Sequence, residues 1–312
     1  MHGRGVLAGV LAVCVLSLSA AMGSTAVASV SGEPAPTNVT ARYGVKAIGR
    51  EVQPAVNKTV AVRTSRTNGV VSPKPRVYLV FWGSQWSSDP AGAAPALRNF
   101  FKGLFGASDT YGTILTQYCE GVPAGTTDCT GIGTHVAHPS KTPLAGVWFD
   151  NAAPAPTHAT AAQIAGEAIA ASTHFANTTQ KRNLDSQYVI ASATNTHPDG
   201  FPNSGFCAWH DFTRSANGNL AYTNLPYVPD LGTGGCTTIT SPTALDGYFS
   251  TETHEYAESV TDLWPSRGWL GAHGNEIADE CEQLDARLTL TTGTFDVQGL
   301  WSNAANHCVT HA

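Results

Sequence analysis

An unbroken apolar run, Val77-Tyr78-Leu79-Val80-Phe81-Trp82, ends at Gly83. Successive large apolar side chains leave no polar face for water, so the run suits a strand buried on both faces of a sheet. Such a strand needs a covering layer on each side. The following segments supply one: Ala91 to Phe105 reads as a helix with Leu97, Phe100, Phe101 and Leu104 on one side. A second strand spans Leu144 to Phe149, and an Ala- and Ile-rich helix runs from about Thr160, its N-cap, to about Ala176. Tyr188 to Ala193 makes a third strand. The β, α, β, α, β order predicts an α/β fold, a mainly parallel sheet flanked by helices.

Residues 201–240 are rich in Gly, Pro, Thr and aromatic side chains and read as short strands and loops. Asp246 to Thr261 reads as a helix that turns Leu245, Phe249, Tyr256 and Val260 to the core, with Pro265 beyond its end. Gly-punctuated turns follow. The segment Leu288 to Cys308 carries Thr-rich alternation that suggests a closing hairpin. No internal repeat is visible.

Residues 1–28 have the order of a signal peptide: a basic start (His2, Arg4), an apolar stretch from Val6 to Met22, then Ala26-Val27-Ala28. Export and a mature chain starting near Ser29 are expected. Cys14, in Leu-Ala-Val-Cys, is followed by further apolar residues, a poor place to cut, which disfavours a lipid anchor. No other segment reaches the roughly 18 apolar residues of a membrane span, so no membrane association is expected after signal removal. Residues 29–75 have few large apolar side chains and read as an extended arm or pro-segment, leaving 76–312 as a single α/β domain. With 17 Lys plus Arg against 23 Asp plus Glu and no basic cluster, nucleic acid is not an expected partner. An apolar fraction of 42% against 13% charged can build a substantial core, and a monomer is expected.

Six cysteines follow the signal, an even number in a chain bound for an oxidising compartment. Short loop closures favour Cys119 with Cys129, Cys207 with Cys236, and Cys281 with Cys308. No two have the spacing of two to four residues that cysteine zinc clusters use. The result is a disulfide-pinned, loop-rich C-terminal part.

The chemistry concentrates in His254-Glu255-Tyr256-Ala257-Glu258 and Asn275-Glu276-Ile277-Ala278-Asp279. Residues four apart on a helix share a face, so His254 and Glu258 can converge on one ion, while Glu255 is turned roughly 100° away. Zinc hydrolases use this arrangement, with the intervening Glu taking a proton from water. The third ligand must come from elsewhere. The Asn-Glu-Ile-Ala-Asp stretch resembles the Asn-Glu-x-x-x-Asp segment of thermolysin-like zinc peptidases, which implies Glu276 as third ligand and the Asp as the group that orients a ligand histidine. Asp279 follows Glu276 by three positions rather than four, so Asp279 can itself be the ligand. Glu258 stands where the motif has a second histidine. One His and two carboxylates cancel the charge of Zn²⁺, and oxygen-rich ligation also admits Ca²⁺ or Mn²⁺.

His210, after Cys207 and Trp209, can supply a missing imidazole ligand or a hydrogen bond to the transition state. His273 is a candidate substrate-facing donor, whereas His197, His307 and His311 read as turn or terminal residues. No Gly-x-Ser-x-Gly elbow or Gly-rich phosphate loop is present. Trp82, Trp86 and Trp148 read as core.

Several segments together resemble the phosphate-induced, exordium-like family of secreted proteins. They are Tyr43-Gly44-Val45, the stretch from Tyr78 to Trp86, Gly205-Phe206-Cys207 with Trp209-His210, and the His254–Glu258 helix. Gly268-Trp269, then Glu276-Ile277-Ala278-Asp279-Glu280-Cys281-Glu282, and Val297 to Ser302 with Cys308 continue it. The chain has fewer cysteines around Cys207 than the plant members. The resemblance implies secretion, a cell-wall or extracellular setting and, in plants, a link to growth.

The leading expectation is thus a secreted metal-dependent hydrolase, a zinc peptidase acting on a peptide or cell-wall substrate. His254, Glu258 and Glu276 or Asp279 are its ligands, Glu255 is the general base and His210 an accessory catalytic group. The alternative is a non-catalytic extracellular binding or signalling protein with a structural cation site.

Overall fold

The computed structural model describes residues 59–312 and the backbone of Tyr43–Ala47. The expected signal peptide and much of the expected arm lie outside the described residues. Strand β1 (Tyr43–Ala47) is followed by β2 (Ala61–Val62), β3 (Arg76–Trp82), helix α1 (Ala93–Gly103) and helix α2 (Thr110–Leu115). A small pair, β4 (Cys119–Glu120) and β5 (Thr134–His135), leads to β6 (Leu144–Asp150). Then come α3 (Ala161–His174), α4 (Gln180–Asn183), β7 (Ser186–Ser192), β8 (Phe206–Ser215) and β9 (Gly218–Leu225). The C-terminal part holds α5 (Asp246–Thr261), β10 (Trp269–Leu270), β11 (Asp285–Leu290), β12 (Gly293–Gln298), β13 (Leu300–Ser302) and β14 (His307–Val309). Among the described residues, no helix is long and apolar enough to cross a membrane.

β3 is buried on both faces, as its apolar run requires. Val77, Leu79 and Phe81 enter one core cluster with Leu97, Phe100, Tyr256 and Val297. Tyr78 and Val80 enter the other with Ile164, Ala168 and Tyr188. Each buried Val, Leu, Ile or Phe among them contributes about 1.5–3 kcal/mol by leaving water. α3 begins at the expected Thr160, whose hydroxyl accepts from the Gln163 N–H while the Gln163 side chain accepts from the Thr160 N–H.

The sheet has six strands in the order β1-β8-β9-β7-β3-β6. Its three pairs β9–β7, β7–β3 and β3–β6 are parallel, while β8–β9 and β1–β8 are antiparallel. The sheet is therefore mixed rather than mainly parallel. The physical reason is a hairpin within the segment read as short strands and loops: β8 and β9 pair from Trp209 with Asn224 to Ser215 with Gly218. Only Ala216 and Asn217 connect them, and so tight a turn forces antiparallel pairing. Gly218 has φ of 97°, and a Cβ there would lie 2.7 Å from the Gln180 backbone, so the turn requires glycine.

Residues 59–75, read as part of the arm, run into the same core. Val60, Val62, Val70 and Val71 are buried, and β2 pairs with β10. The three disulfides join Cys119 to Cys129, Cys207 to Cys236 and Cys281 to Cys308. They fit an oxidising compartment. Among the tryptophans read as core, Trp86 is buried and donates to the Ala191 carbonyl at 3.0 Å; Trp82 and Trp148 are half-buried.

α5 spans the residues expected but is buried along its whole length, not on one face. It packs against β8, β9 and β1 on one side and meets β12 and α2. Arg287 pairs with Asp246 in its first turn, where a negative charge suits the helix dipole. Gly247 permits the close approach of a neighbouring loop, since a Cβ there would lie 1.7 Å from the Gly235 carbonyl oxygen.

Away from α5, Glu167 of α3 is buried beside Asp150 at the end of β6. Burial first, then the charge and hydrogen bond of Asp150, push its pKa up to about 8. A carboxyl whose folded pKa is raised contributes stability that is full below the unfolded value of about 4.5 and is lost as pH rises to about 8. Glu167→Gln is expected to stabilise the protein by about 1 kcal/mol near pH 8, after discounting for solvent screening, and to be neutral near pH 4. Thermal unfolding at both pH values checks this; equal shifts at the two would contradict it.

Candidate metal centre

α5 passes beneath the loop that precedes β11, and backbone hydrogen bonds fix that loop on it. The N–H groups of Ala278 and Asp279 both donate to Glu258 Oε1, at 3.2 and 3.0 Å. The Trp301 N–H donates to the Ile277 carbonyl at 2.7 Å, and the Cys281–Cys308 disulfide closes the loop's far end. The Glu276 N–H donates to Asp279 Oδ2 at 3.0 Å. Glu276 and Asp279 are thereby brought to the face of α5 that carries His254 and Glu258. β8 brings His210 from the sheet side.

His254 is fully buried. Its Nδ1 lies 3.1 Å from Gln298 Oε1, and the Gln298 Nε2 donates to the Ala278 carbonyl at 2.8 Å. Because the amide nitrogen is committed to that carbonyl, Gln298 presents its oxygen, and His254 Nδ1 is the donor. Nε2 then points its lone pair at Glu258 Oε2, 3.1 Å away, and Asp279 Oδ1, 3.6 Å away. Neither His254 Nε2 nor Glu258 Oε2 makes a hydrogen bond. A lone pair facing two carboxylate oxygens needs a cation between them, either a proton or a metal ion. Burial alone would lower the His254 pKa, but Glu258, Glu255 and Asp279 outweigh it and hold it at about 10. Burial would likewise raise Glu258, yet the two histidines draw it down to about 2. Fixing a ligand imidazole through its other nitrogen is the usual support of a metal site. The ligand atoms of His254, Glu258 and Asp279 all lie within 4.8 Å of one another and could hold a metal ion.

Glu276 does not join that set. Its Oε2 lies 3.0 Å from His210 Nε2, which is also 3.5 Å from Glu258 Oε2. Of the two acidic residues considered as third ligand, Asp279 lies beside His254 and Glu276 beside His210. Burial opposes protonation of His210, but Glu276 and Glu258 raise its pKa well above the ordinary value. The same burial raises Glu276, against the pull of His210.

Glu255 is fully buried, and neither of its oxygens has a partner. Its carboxylate falls within 4.8 Å of ligand atoms on His210 and Glu258. Burial pushes its pKa up to about 8, with His254 and His210 opposing. Asp279 is raised to about 7 by burial and by Glu258. With 21% of its side chain exposed, Asp279 links this buried group to the surface. His273 is exposed in its loop, His197 is half-buried and stacks on His158, and His307 and His311 are exposed.

Gln298 is the residue that sequence reasoning missed. A single Gln in a short strand carries no signal; only the fold places it behind His254. Gln298→Leu is expected to weaken zinc affinity about 10–100-fold by freeing the imidazole to turn or change tautomer. Competition with a fluorescent zinc chelator measures this, and an unchanged Kd would refute the orienting role.

Comparisons with family models, curated proteins and solved structures find no match to this chain.

Proposed function

We propose that the chain is an exported metal-dependent hydrolase of the peptidase type. The observation that carries this reading is Glu255, a fully buried carboxyl with no hydrogen-bond partner beside a group of metal-ligating atoms. An unpartnered buried carboxyl destabilises a fold by roughly 1–3 kcal/mol or more, and such groups concentrate at functional sites. His254, Glu258 and Asp279 would hold the ion, with zinc favoured by the motif and Mn²⁺ or Ca²⁺ admitted by the oxygen-rich set. When bound, the ion supplies Lewis acidity towards a substrate carbonyl. Glu255 accepts the proton of the attacking water and returns it to the leaving amine. His210, held by Glu276, donates a hydrogen bond to the oxygen on which negative charge develops. The substrate, a peptide or cell-wall component, approaches from the side of Asp279.

Export is supported by the three disulfides, by the signal-like N-terminal sequence and by the resemblance to the exordium-like family. The near-complete burial of His254, Glu258 and Glu255 favours a second reading, a non-catalytic extracellular protein with a structural cation, because closed sites are typically structural. The two are separated by assaying quenched fluorescent peptides with the zinc-loaded protein, after chelation, and after zinc is restored. A hydrolase loses turnover on chelation and regains it with zinc. A structural site gives no turnover in any state.

A further inference from the structure

The carboxylate of Glu258 faces two imidazoles, and only one of them, His254, is a ligand of the ion described above. Its Oε1 accepts the two loop N–H groups, while its unpartnered Oε2 lies 3.1 Å from His254 Nε2 and 3.5 Å from His210 Nε2. Each imidazole has a carboxylate of its own: Asp279 at 3.6 Å from His254 and Glu276 at 3.0 Å from His210. We propose that His210, Glu255 and Glu258 hold a second divalent cation, joined to the first through Glu258.

The ligand atoms of these three residues all lie within 4.8 Å of one another, and the three side chains are fully buried. Metal–ligand bonds of about 2.0–2.2 Å place two ligands of one ion at most about 4.4 Å apart, so small movements close the set on an ion. The two imidazoles belong to different sets that share Glu258. Glu255 is the independent sign of a ligand, because it is fully buried and both its oxygens lack partners. One oxygen can bind the ion while the other remains free to accept a proton. Charge points the same way. Glu255, Glu258, Glu276 and Asp279 are all buried or nearly so around the two imidazoles, and a concentration of carboxylates in a dry region favours bound cations. Imidazole with carboxylates suits Zn²⁺ or Mn²⁺, and paired ions about 3.5–4 Å apart are a recurrent hydrolytic arrangement.

The inference rests on the one-ion reading, and metal stoichiometry separates the two. The full exported chain, stripped of metal and dialysed against zinc chloride, is analysed by plasma mass spectrometry alongside His210→Ala, Glu255→Gln and His254→Ala. Near-UV circular dichroism verifies folding of each, and the near-isosteric Glu255→Gln keeps the test valid where His210→Ala unfolds. The expected result is two zinc ions per wild-type chain and one in each variant, with a spin-coupled resonance signal when Mn²⁺ replaces zinc. One ion per chain that survives His210→Ala and Glu255→Gln overturns the second site and leaves the first standing. One ion lost in both histidine variants places a single ion between the imidazoles and also overturns it. No bound zinc overturns both.

Discussion

Glu255→Gln is expected to lower peptide turnover by about 10²–10⁴-fold, the usual contribution of a positioned general base, while the ion held by His254 stays in place. The substitution keeps the size and planarity of the side chain and removes its ability to accept a proton. Because Glu255 is buried without a partner, the neutral amide also relieves the desolvation of a carboxylate, so the metal-free variant is expected to unfold at the same or a higher temperature than the metal-free wild type. Loss of activity with gain of stability marks a residue retained for chemistry rather than for the fold. Steady-state kinetics on a cleaved peptide, with a melting curve beside them, make the measurement. Activity within threefold of wild type would remove Glu255 from the mechanism. A structural cation site predicts the gain in stability alone.

The second large effect is on stability. Stripping the ion with a chelator is expected to destabilise the protein by about 3–4 kcal/mol relative to protein held in zinc at 100–1,000 times its Kd. For a domain of this size that corresponds to a fall in Tm of about 10 °C. The ion acts where its removal is most felt, because α5 is buried along its length and the loop bearing Asp279 is fixed to it through Glu258. Without the ion, the facing His254 and Glu258 must share protons instead. Calorimetry with and without chelator reads the shift, and zinc should restore it. A melting curve indifferent to both would mean that the group holds protons only.

Much of this arrangement was legible in the chain. The apolar run at Val77 announced a strand buried on two faces, Thr160 announced the start of α3, and the bounds of α5 followed from Asp246 and Pro265. The cysteine pairs followed from loop closure. The β8–β9 hairpin was obscured by the aromatic and Thr-rich composition around it, although the Asn217-Gly218 dipeptide is a hairpin signal. That one hairpin turns a parallel expectation into a mixed sheet. Burial around α5 was hidden for a related reason: its Thr, Glu and His residues look solvated in sequence, but several serve one another inside the protein. Helical spacing brought His254 and Glu258 together, whereas the partition of Asp279 to His254 and Glu276 to His210 depends on how the loop folds back. Gln298 lies 44 residues from His254, and no local pattern links them.

The most direct test is the zinc content of the purified, oxidised chain beside that of His254→Ala, by mass spectrometry after zinc has been offered to both. Bound zinc in the wild type, with one equivalent lost in the variant, is the predicted result. Equal zinc content in the two proteins, or none in either, would contradict a metal centre at His254.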